Sequence, residues 1–99
     1  MRFEWDEARN LSNQRKHGVS FERATAVFLD PLCVSVEDRV EDEEARWRTT
    51  GMVGDLLILT VAHTVREENA DGMWVDVFRI ISARPATRKE KRRYENENG

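Results

Sequence analysis

Several signatures of familiar protein classes are missing from this sequence. Its single cysteine, Cys33, has no partner for an internal disulfide, which favours a reducing compartment. No apolar run approaches the length of a membrane span and no signal peptide is recognisable, so we expect a cytoplasmic protein without a membrane partner. Phosphate-binding glycine loops, glycine-flanked serines and the spacings of zinc ligands are absent as well. The sequence therefore predicts no cofactor and no metal.

Charge is plentiful but unevenly distributed. Charged residues make up 35% of the sequence and hydrophobic residues 39%, and the clustering of the hydrophobic residues predicts a folded chain. The net charge of −3 by itself argues against nonspecific binding to nucleic acid. Residues 37–44 carry six carboxylates and one arginine, whereas residues 84–93 carry six cations and one carboxylate. The acidic segment lacks the ligand pattern of a calcium loop, so a solvated hairpin loop is the favoured interpretation.

The spacing of apolar residues predicts one domain over residues 1–95, followed by a frayed tail at 96–99. Strands are expected where apolar and β-branched residues cluster or alternate, and helices where a capping residue precedes a 3.6-residue periodicity. This gives a short first strand, two helices, four successive strands and a C-terminal helix. The strands are expected at 2–5, 32–36, 46–53, 56–65 and 73–83, and the helices at about 7–16, 21–29 and from residue 87 onward.

The strongest local signal is a strand that runs directly into a basic helix. Residues 73–83 form an apolar, β-branched run of strand length. Pro85 removes a ladder donor and ends the strand. Thr87, with Glu90 three residues later, fits a capping box at a helix start. A strand end beside a cationic helix N-terminus is a plausible site for a ligand that carries phosphate.

Arginines on regular structure are the main candidates for binding that ligand. Arg84 and Arg88 flank the predicted helix start, where guanidinium groups and free helix N–H groups both favour anions; the alternative is a solvated basic helix. Arg79 interrupts an apolar strand, where an unpaired charge is costly. The alternative to a functional role for it is an ion pair with Glu4, Asp6 or Asp76. Three further arginines are predicted on strands: Arg46, Arg48 and Arg66.

Two histidines and a tyrosine are further candidates for chemistry. His17 follows Lys16 at a helix end, where it could transfer protons or serve only as a C-terminal cap. His63 shares a strand face with apolar residues, so a hydrogen-bonded core histidine is the favoured interpretation. Tyr94 lies one turn after Glu90 and could pack against the core or stack on a base.

Short blocks spread over nearly the whole chain are specific in combination. They are FEWD at 3–6, NQRKHGVSF at 13–21, VFLDP at 27–31, Glu44 with Arg46, RIISAR at 79–84, and RKE at 88–90 with Tyr94. Together these blocks resemble the BrnT toxin family. The resemblance implies a RelE-like α+β fold, with a mostly antiparallel four- to five-stranded sheet, two N-terminal helices and one C-terminal helix.

The same resemblance implies a function and its partners. Members look like ribonuclease toxins of bacterial type II toxin–antitoxin modules, which cleave RNA without a metal and inhibit translation. The expected partners are the RNA substrate and a BrnA-type antitoxin. The ribbon-helix-helix domain of that antitoxin would bind operator DNA, so this chain would meet DNA only indirectly.

The chemistry of RNA cleavage suggests, as a hypothesis, a role for each of the cationic residues. The 2′-hydroxyl would attack the adjacent phosphate, which requires a base, stabilisation of the phosphorane charge and an acid for the leaving oxygen. The predicted catalytic residues are Lys16 and His17 for proton transfer, with Arg46, Arg66, Arg79 and Arg84 for charge stabilisation. The predicted RNA-binding residues are Arg48, Arg88, Lys89, Arg92 and Tyr94. The alternative function is a non-catalytic module that binds protein or nucleic acid.

Overall fold

A five-stranded sheet with helices on both faces organises the chain, which the computed structural model describes over residues 1–54 and 56–98. The sheet order is β1-β5-β4-β3-β2; β1 is parallel to β5 and the other pairs are antiparallel. The elements are β1 (Arg2–Glu4), α1 (Glu7–His17), α2 (Phe21–Ala24) with a 3₁₀ continuation (Thr25–Leu29), β2 (Val34–Glu41), β3 (Glu44–Val53), β4 (Leu57–Ala70), β5 (Met73–Pro85) and α3 (Arg88–Asn98). The predicted α+β fold with a mostly antiparallel sheet is confirmed.

Helix boundaries follow the capping residues. The Asp6 carboxylate accepts from the backbone N–H groups of Ala8 and Arg9 at the start of α1, and Gly18 ends the helix with a φ of 72°. A left-handed residue at this position favours glycine, because a Cβ would be strained there. Ser20 caps α2 through the N–H of Arg23. No helix in the described part of the chain has the length and apolar character needed to cross a membrane.

Two hydrophobic clusters lie on opposite faces of the sheet. The larger one joins the N-terminal helices, through residues such as Phe21 and Val27, to Leu59 and Val61 of β4. The smaller one joins Tyr94 of α3 to Ile58 and its neighbours. Because side chains alternate along a strand, even-numbered residues of β4 face α3 and odd-numbered residues face the N-terminal helices. Helix α3 covers only part of the sheet face on which it packs. The uncovered part of that face is the candidate site.

Two buried asparagines fasten α1 to the rest of the fold. Asn13 is 7% exposed; its amide donates to the carbonyls of Val19 and Ala83, and its oxygen accepts from the N–H of Ala83. Asn10 is fully buried and accepts from the N–H of Phe21. Asn13 therefore provides hydrogen-bond partners for the backbone of Ala83 at the edge of β5, at a point that the short strand β1 does not reach.

The acidic segment forms strand rather than the predicted loop. β2 and β3 continue through it and meet at a two-residue turn, Asp42 and Glu43, with φ values of 52° and 63°. Two adjacent residues with positive φ are typical of the tight hairpin turns that match the twist of the strands. Both faces of this hairpin tip are exposed, so charged side chains can occupy either face, and a solvated surface does not require a loop.

The C-terminal helix is longer than predicted. It continues to Asn98, whose side-chain amide donates to the carbonyls of Leu32 and Tyr94. Three residues of the predicted frayed tail are thus helical, and the fourth, Gly99, lies outside the described residues. The division into a domain of residues 1–95 and a tail stays a prediction.

His63 is the core histidine that its strand position predicted. It is 2% exposed and packs its ring against Phe28 and Phe78. Its Nδ1 lies 3.4 Å from the carbonyl of Thr64 and its Nε2 lies 2.7 Å from the hydroxyl of Thr49. The carbonyl can only accept, so Nδ1 carries the proton and Nε2 accepts from Thr49. Burial lowers the pKa of His63 to about 4.

The stability of the fold should consequently fall in mild acid. Between roughly pH 6.5 and pH 4 the unfolded chain binds a proton at His63 that the folded chain excludes, so the free energy of unfolding decreases as the pH falls. From about pH 7 to about pH 5 the loss should be about 2 kcal/mol. Urea unfolding at the two pH values measures it. His63→Gln should remove most of the difference; equal pH dependence in the native chain and in His63→Gln would contradict the assignment.

Candidate RNA-binding face and arginine cleft

The register places five predicted site arginines on one face of the sheet, the side that carries α3. Thr60, Ala62, Thr64 and Arg66 alternate along β4 and so share that face. Arg84 pairs with Thr60, Arg48 with Ala62, and Arg79 with Thr64. Arg46 lies two residues before Arg48 and shares its side of β3. The arginine face is therefore defined by five guanidinium groups from three strands: Arg46, Arg48, Arg66, Arg79 and Arg84.

A cleft of about 370 Å³ opens where this face meets the start of α3. Strand β3 contributes Arg48 and Thr50, strand β5 contributes Arg84, and the helix contributes cations that extend over the opening. The lining residues are Val34, Val36, Arg48, Thr50, Arg84, Thr87, Lys89, Glu90 and Arg93. Four cations against one carboxylate make the cleft strongly cationic, in a chain whose net charge is −3.

Glu90 holds the cleft together. Arg84 donates to it from both terminal nitrogens, at 2.7 and 3.0 Å, in the two-pronged geometry that suits guanidinium and carboxylate. The hydroxyl of Thr60 donates to it at 3.0 Å, and Arg48 Nη1 lies 3.6 Å from its Oε2. The predicted capping box is also present: Thr87 N–H donates to Glu90, and Glu90 N–H donates to the Thr87 hydroxyl.

These contacts fix the charge state of the cleft. The hydrogen bond from Arg84 lowers the pKa of Glu90 to about 2, and the same pair raises the pKa of Arg84. Glu90 is therefore a carboxylate at neutral pH, and it has neither a proton to donate nor the basicity of a good general base. Its position instead orients Arg84, and Arg48 beside it, toward the cleft.

Carboxylates of the acidic hairpin also contact the arginine face. Asp38 accepts from Arg48 at 3.1 Å, and Glu41 Oε2 lies 3.8 Å from Arg46 Nε. That Arg46 nitrogen is buried and, among the described residues, has no hydrogen-bond partner. The acidic hairpin therefore faces two of the predicted site residues, and it leaves Arg46 short of a close acceptor.

A second cluster of charges lies further along β4. Arg66 donates to both Glu4 and Glu68, which raises its pKa and lowers that of Glu4. Arg2 also pairs with Glu68, at 2.7 Å. Arg79 is the most loosely held member of this cluster: its side chain is 48% exposed and, within residues 1–54 and 56–98, its one ion-pair partner is Glu4, at 3.7 Å. The pair between Arg79 and Glu4 was one of the alternatives that the sequence left open.

The remaining predicted site residues lie apart from the cleft or turn away from it. Lys16 and His17 end α1, and within the described chain neither makes a side-chain hydrogen bond or ion pair with the arginine face. Arg88 and Arg92 are exposed; helical spacing places them on the side of α3 opposite Glu90. Lys89 alone among the predicted helix cations lines the cleft.

The ring of Tyr94 packs inside the protein and is not available for stacking on a base. It is 7% exposed, lies in the smaller hydrophobic cluster and donates to Asp30 at 2.6 Å. That hydrogen bond raises the pKa of its hydroxyl to about 12. Of the two interpretations offered by the sequence, packing is the one that this geometry favours, because a buried ring cannot stack on a base without displacing α3.

Two contributors to the cleft were not predicted as site residues. The sequence pattern predicts Glu90 only as a helix cap, although Arg84 lies six residues earlier and within its reach. Arg93 was counted as a basic residue, although it lies one helical turn after Lys89 and so on the same side of α3. No group of three or more His, Cys, Asp or Glu side chains that could hold a metal ion occurs in residues 1–54 or 56–98.

The fold and the cleft together define an α+β protein with a guanidinium-rich surface suited to phosphate groups. A family model described as the ribonuclease toxin BrnT of type II toxin–antitoxin systems matches residues 5–90. The chain belongs to this family. The crystal structure of the Brucella abortus ribonuclease toxin BrnT has a similar fold, with a TM-score of 0.58 and 22% identity over 89% of this chain and 99% of that one. Among curated protein sequences there is no match.

Proposed function

We propose that this chain is a cytoplasmic endoribonuclease toxin that cleaves RNA without a metal ion, inhibits translation and is neutralised by a BrnA-type antitoxin. The observation that carries the proposal is the arrangement of Arg48 and Arg84 around Glu90 in a cationic cleft. Guanidinium groups held in place before the substrate arrives are the stabilisation that a phosphorane requires. Family membership supplies the ribonuclease and toxin–antitoxin class.

The proposed reaction is transesterification at one phosphate of RNA. The 2′-oxygen forms a bond to phosphorus and the bond from phosphorus to the 5′-oxygen breaks, which leaves a 2′,3′-cyclic phosphate and a 5′-hydroxyl. Arg84 and Arg48 bind the phosphate oxygens and stabilise the additional negative charge of the transition state, with Lys89 and Arg93 nearby. Glu90 is a positioning residue, because it contacts the guanidinium groups and stays ionised.

Proton transfer is assigned to the end of α1. Asn13 contacts Ala83, the residue before Arg84, and His17 follows Asn13 by one helical turn on the same side of α1. Of Lys16 and His17, His17 is therefore the one on the side of α1 that Asn13 turns toward β5. We assign it the proton transferred to or from the reacting oxygens, and we retain Lys16, next to it, as the second candidate for that role.

The antitoxin is the proposed protein partner. A BrnA-type protein would block the cationic face and would carry the ribbon-helix-helix domain that contacts operator DNA. This chain would then meet operator DNA only through the antitoxin.

The purified chain should cleave RNA fully in the presence of EDTA. In the proposed reaction side-chain cations of the cleft bind the phosphate, so chelation of divalent metal ions removes nothing that the reaction needs. Incubation with a single-stranded RNA substrate, followed by analysis of the product ends, measures both cleavage and the cyclic phosphate. Loss of cleavage in EDTA, with recovery on adding a divalent cation, would contradict the metal-free scheme.

The same assay distinguishes the enzyme from a non-catalytic binding module. A binding module would retain RNA or a protein partner without generating new RNA ends. Induction of the chain in bacteria should arrest growth, and co-expression of an adjacent antitoxin should relieve the arrest. Intact RNA together with unaffected growth would favour the module.

A further inference from the structure

The arginine face continues beyond the cleft to the second charge cluster. Arg84 pairs with Thr60 and Arg79 pairs with Thr64, so the two arginines are four residues apart along β4. At about 3.3 Å per residue, this places them about 13 Å apart along the strand. A stacked nucleic-acid strand advances about 3.4 Å per nucleotide, so the separation spans about four stacked nucleotides, or fewer in an extended strand.

The surface between these two arginines is suited to a polymer backbone. On the shared face, the register places Ala62 opposite Ser82 and then Thr64. These side chains are small and uncharged, and Thr64 is only 2% exposed, so a phosphate backbone on this line would contact mainly the arginine side chains around it. Arg46 lies beside this line on β3, and its buried Nε has no hydrogen-bond partner within the described chain. We use the name guanidinium track for the line from Arg84 past Arg46 to Arg79.

The far end of the track retains attraction for an anion. Arg2, Arg66 and Arg79 are opposed there by two carboxylates, Glu4 and Glu68, which leaves a local charge of +1. Arg66 is committed to both carboxylates, and its pair with Glu4 links β4 to β1 across β5. Arg79 is half exposed, and its one ion pair in the described part of the chain is long, at 3.7 Å, so its guanidinium group can turn to a phosphate at little cost.

We propose that Arg79 forms a second phosphate subsite, distinct from the cleft, so that the chain binds a single-stranded RNA segment along the guanidinium track. This inference rests on the proposed function, because it takes the cleft as the site of the cleaved phosphate. Arg79, predicted from the sequence as catalytic, becomes a residue that binds the substrate backbone at a distance from the reacting atoms. Arg46 contacts the strand between the two subsites.

Oligonucleotides of two lengths test the second subsite. The probes are 2′-O-methyl RNAs of about two and about eight nucleotides, which lack the attacking hydroxyl and span, respectively, the cleft alone and the whole track. Arg79→Ala should weaken binding of the longer probe by about tenfold at low salt and leave binding of the shorter probe unchanged. The slope of log K against log salt should decrease by about 0.7 for the longer probe, as expected for the loss of one phosphate contact to a single strand.

Two further variants make the result decisive. Arg84→Ala should weaken binding of both probes, and Arg23→Ala, at an exposed position of α2 on the other face of the sheet, should weaken neither. Arg79→Ala leaves Glu4 paired with Arg66, and an unchanged thermal midpoint verifies that it folds. Equal effects of Arg79→Ala on both lengths, or no effect on either, would overturn the second subsite while the cleft stands. A native chain that binds neither probe would instead count against the proposed function itself.

Discussion

Arg84→Ala is expected to slow RNA cleavage by about a hundredfold or more, the loss typical of removing one preorganised donor to a transition-state oxyanion. Arg84 reaches the cleft from the end of β5, and its guanidinium group is fixed by two hydrogen bonds to Glu90. The reduction should appear mainly in kcat, because the charge on the phosphate increases between the bound substrate and the transition state. Single-turnover cleavage of a short RNA measures it.

A graded series separates charge from geometry at this position. Arg84→Lys retains a cation but cannot donate in the same two-pronged fashion, so its rate should lie between those of the native chain and Arg84→Ala. Arg23→Ala makes the same change in net charge at an exposed position of α2, on the other face of the sheet, and should cleave at close to the native rate. If Arg84→Ala folded normally and cleaved as fast as Arg23→Ala, the cleft would lose its assigned role.

Asn13→Ala is expected to lower the free energy of unfolding by about 3 kcal/mol or more. The substitution leaves three backbone groups without their partner: the N–H and C=O of Ala83 and the C=O of Val19. Each buried polar group left unpaired costs about 1–3 kcal/mol, and the site is only 7% exposed, so water cannot replace the amide without opening the packing. Urea unfolding of the variant measures the loss.

Ser12→Ala is the matched control, since Ser12 is the exposed neighbour of Asn13 on α1. Its stability should change by less than about 0.5 kcal/mol, because serine is no better than alanine as a helix former. A similar stability for the two variants would mean that the contact between Asn13 and β5 contributes little. Loss of cleavage in Asn13→Ala under conditions where it remains folded would link this contact to the placement of His17.

Short-range signals in the sequence predicted the element types and the local geometry around the cleft. Asp6 and Gly18 bound α1, and Thr87 with Glu90 forms the capping box that begins α3. The extension of β2 and β3 through the acidic segment was missed. High charge was interpreted as loop, although charged side chains are compatible with a hairpin that is exposed on both faces.

The family resemblance also came from the sequence, through blocks that extend over nearly the whole chain, and the family model that matches residues 5–90 confirms it. The proton-transfer roles of Lys16 and His17 stay predictions. Tyr94 was offered as either a packing or a stacking residue, and its partner, Asp30, is 64 positions away in the chain. Nothing near either residue in the sequence identifies the other as its partner.

The sequence by itself determined the caps, the strand that ends at Pro85 and the basic helix that follows, because each of these depends on residues within a few positions of one another. The tertiary structure decided which cations meet. Arg48 and Arg84 converge because β4 lies between their strands and pairs with both, and Glu90 then joins them from a helix. Such convergence depends on register and on helix packing, and these are set by the burial of the whole sheet rather than by any local pattern.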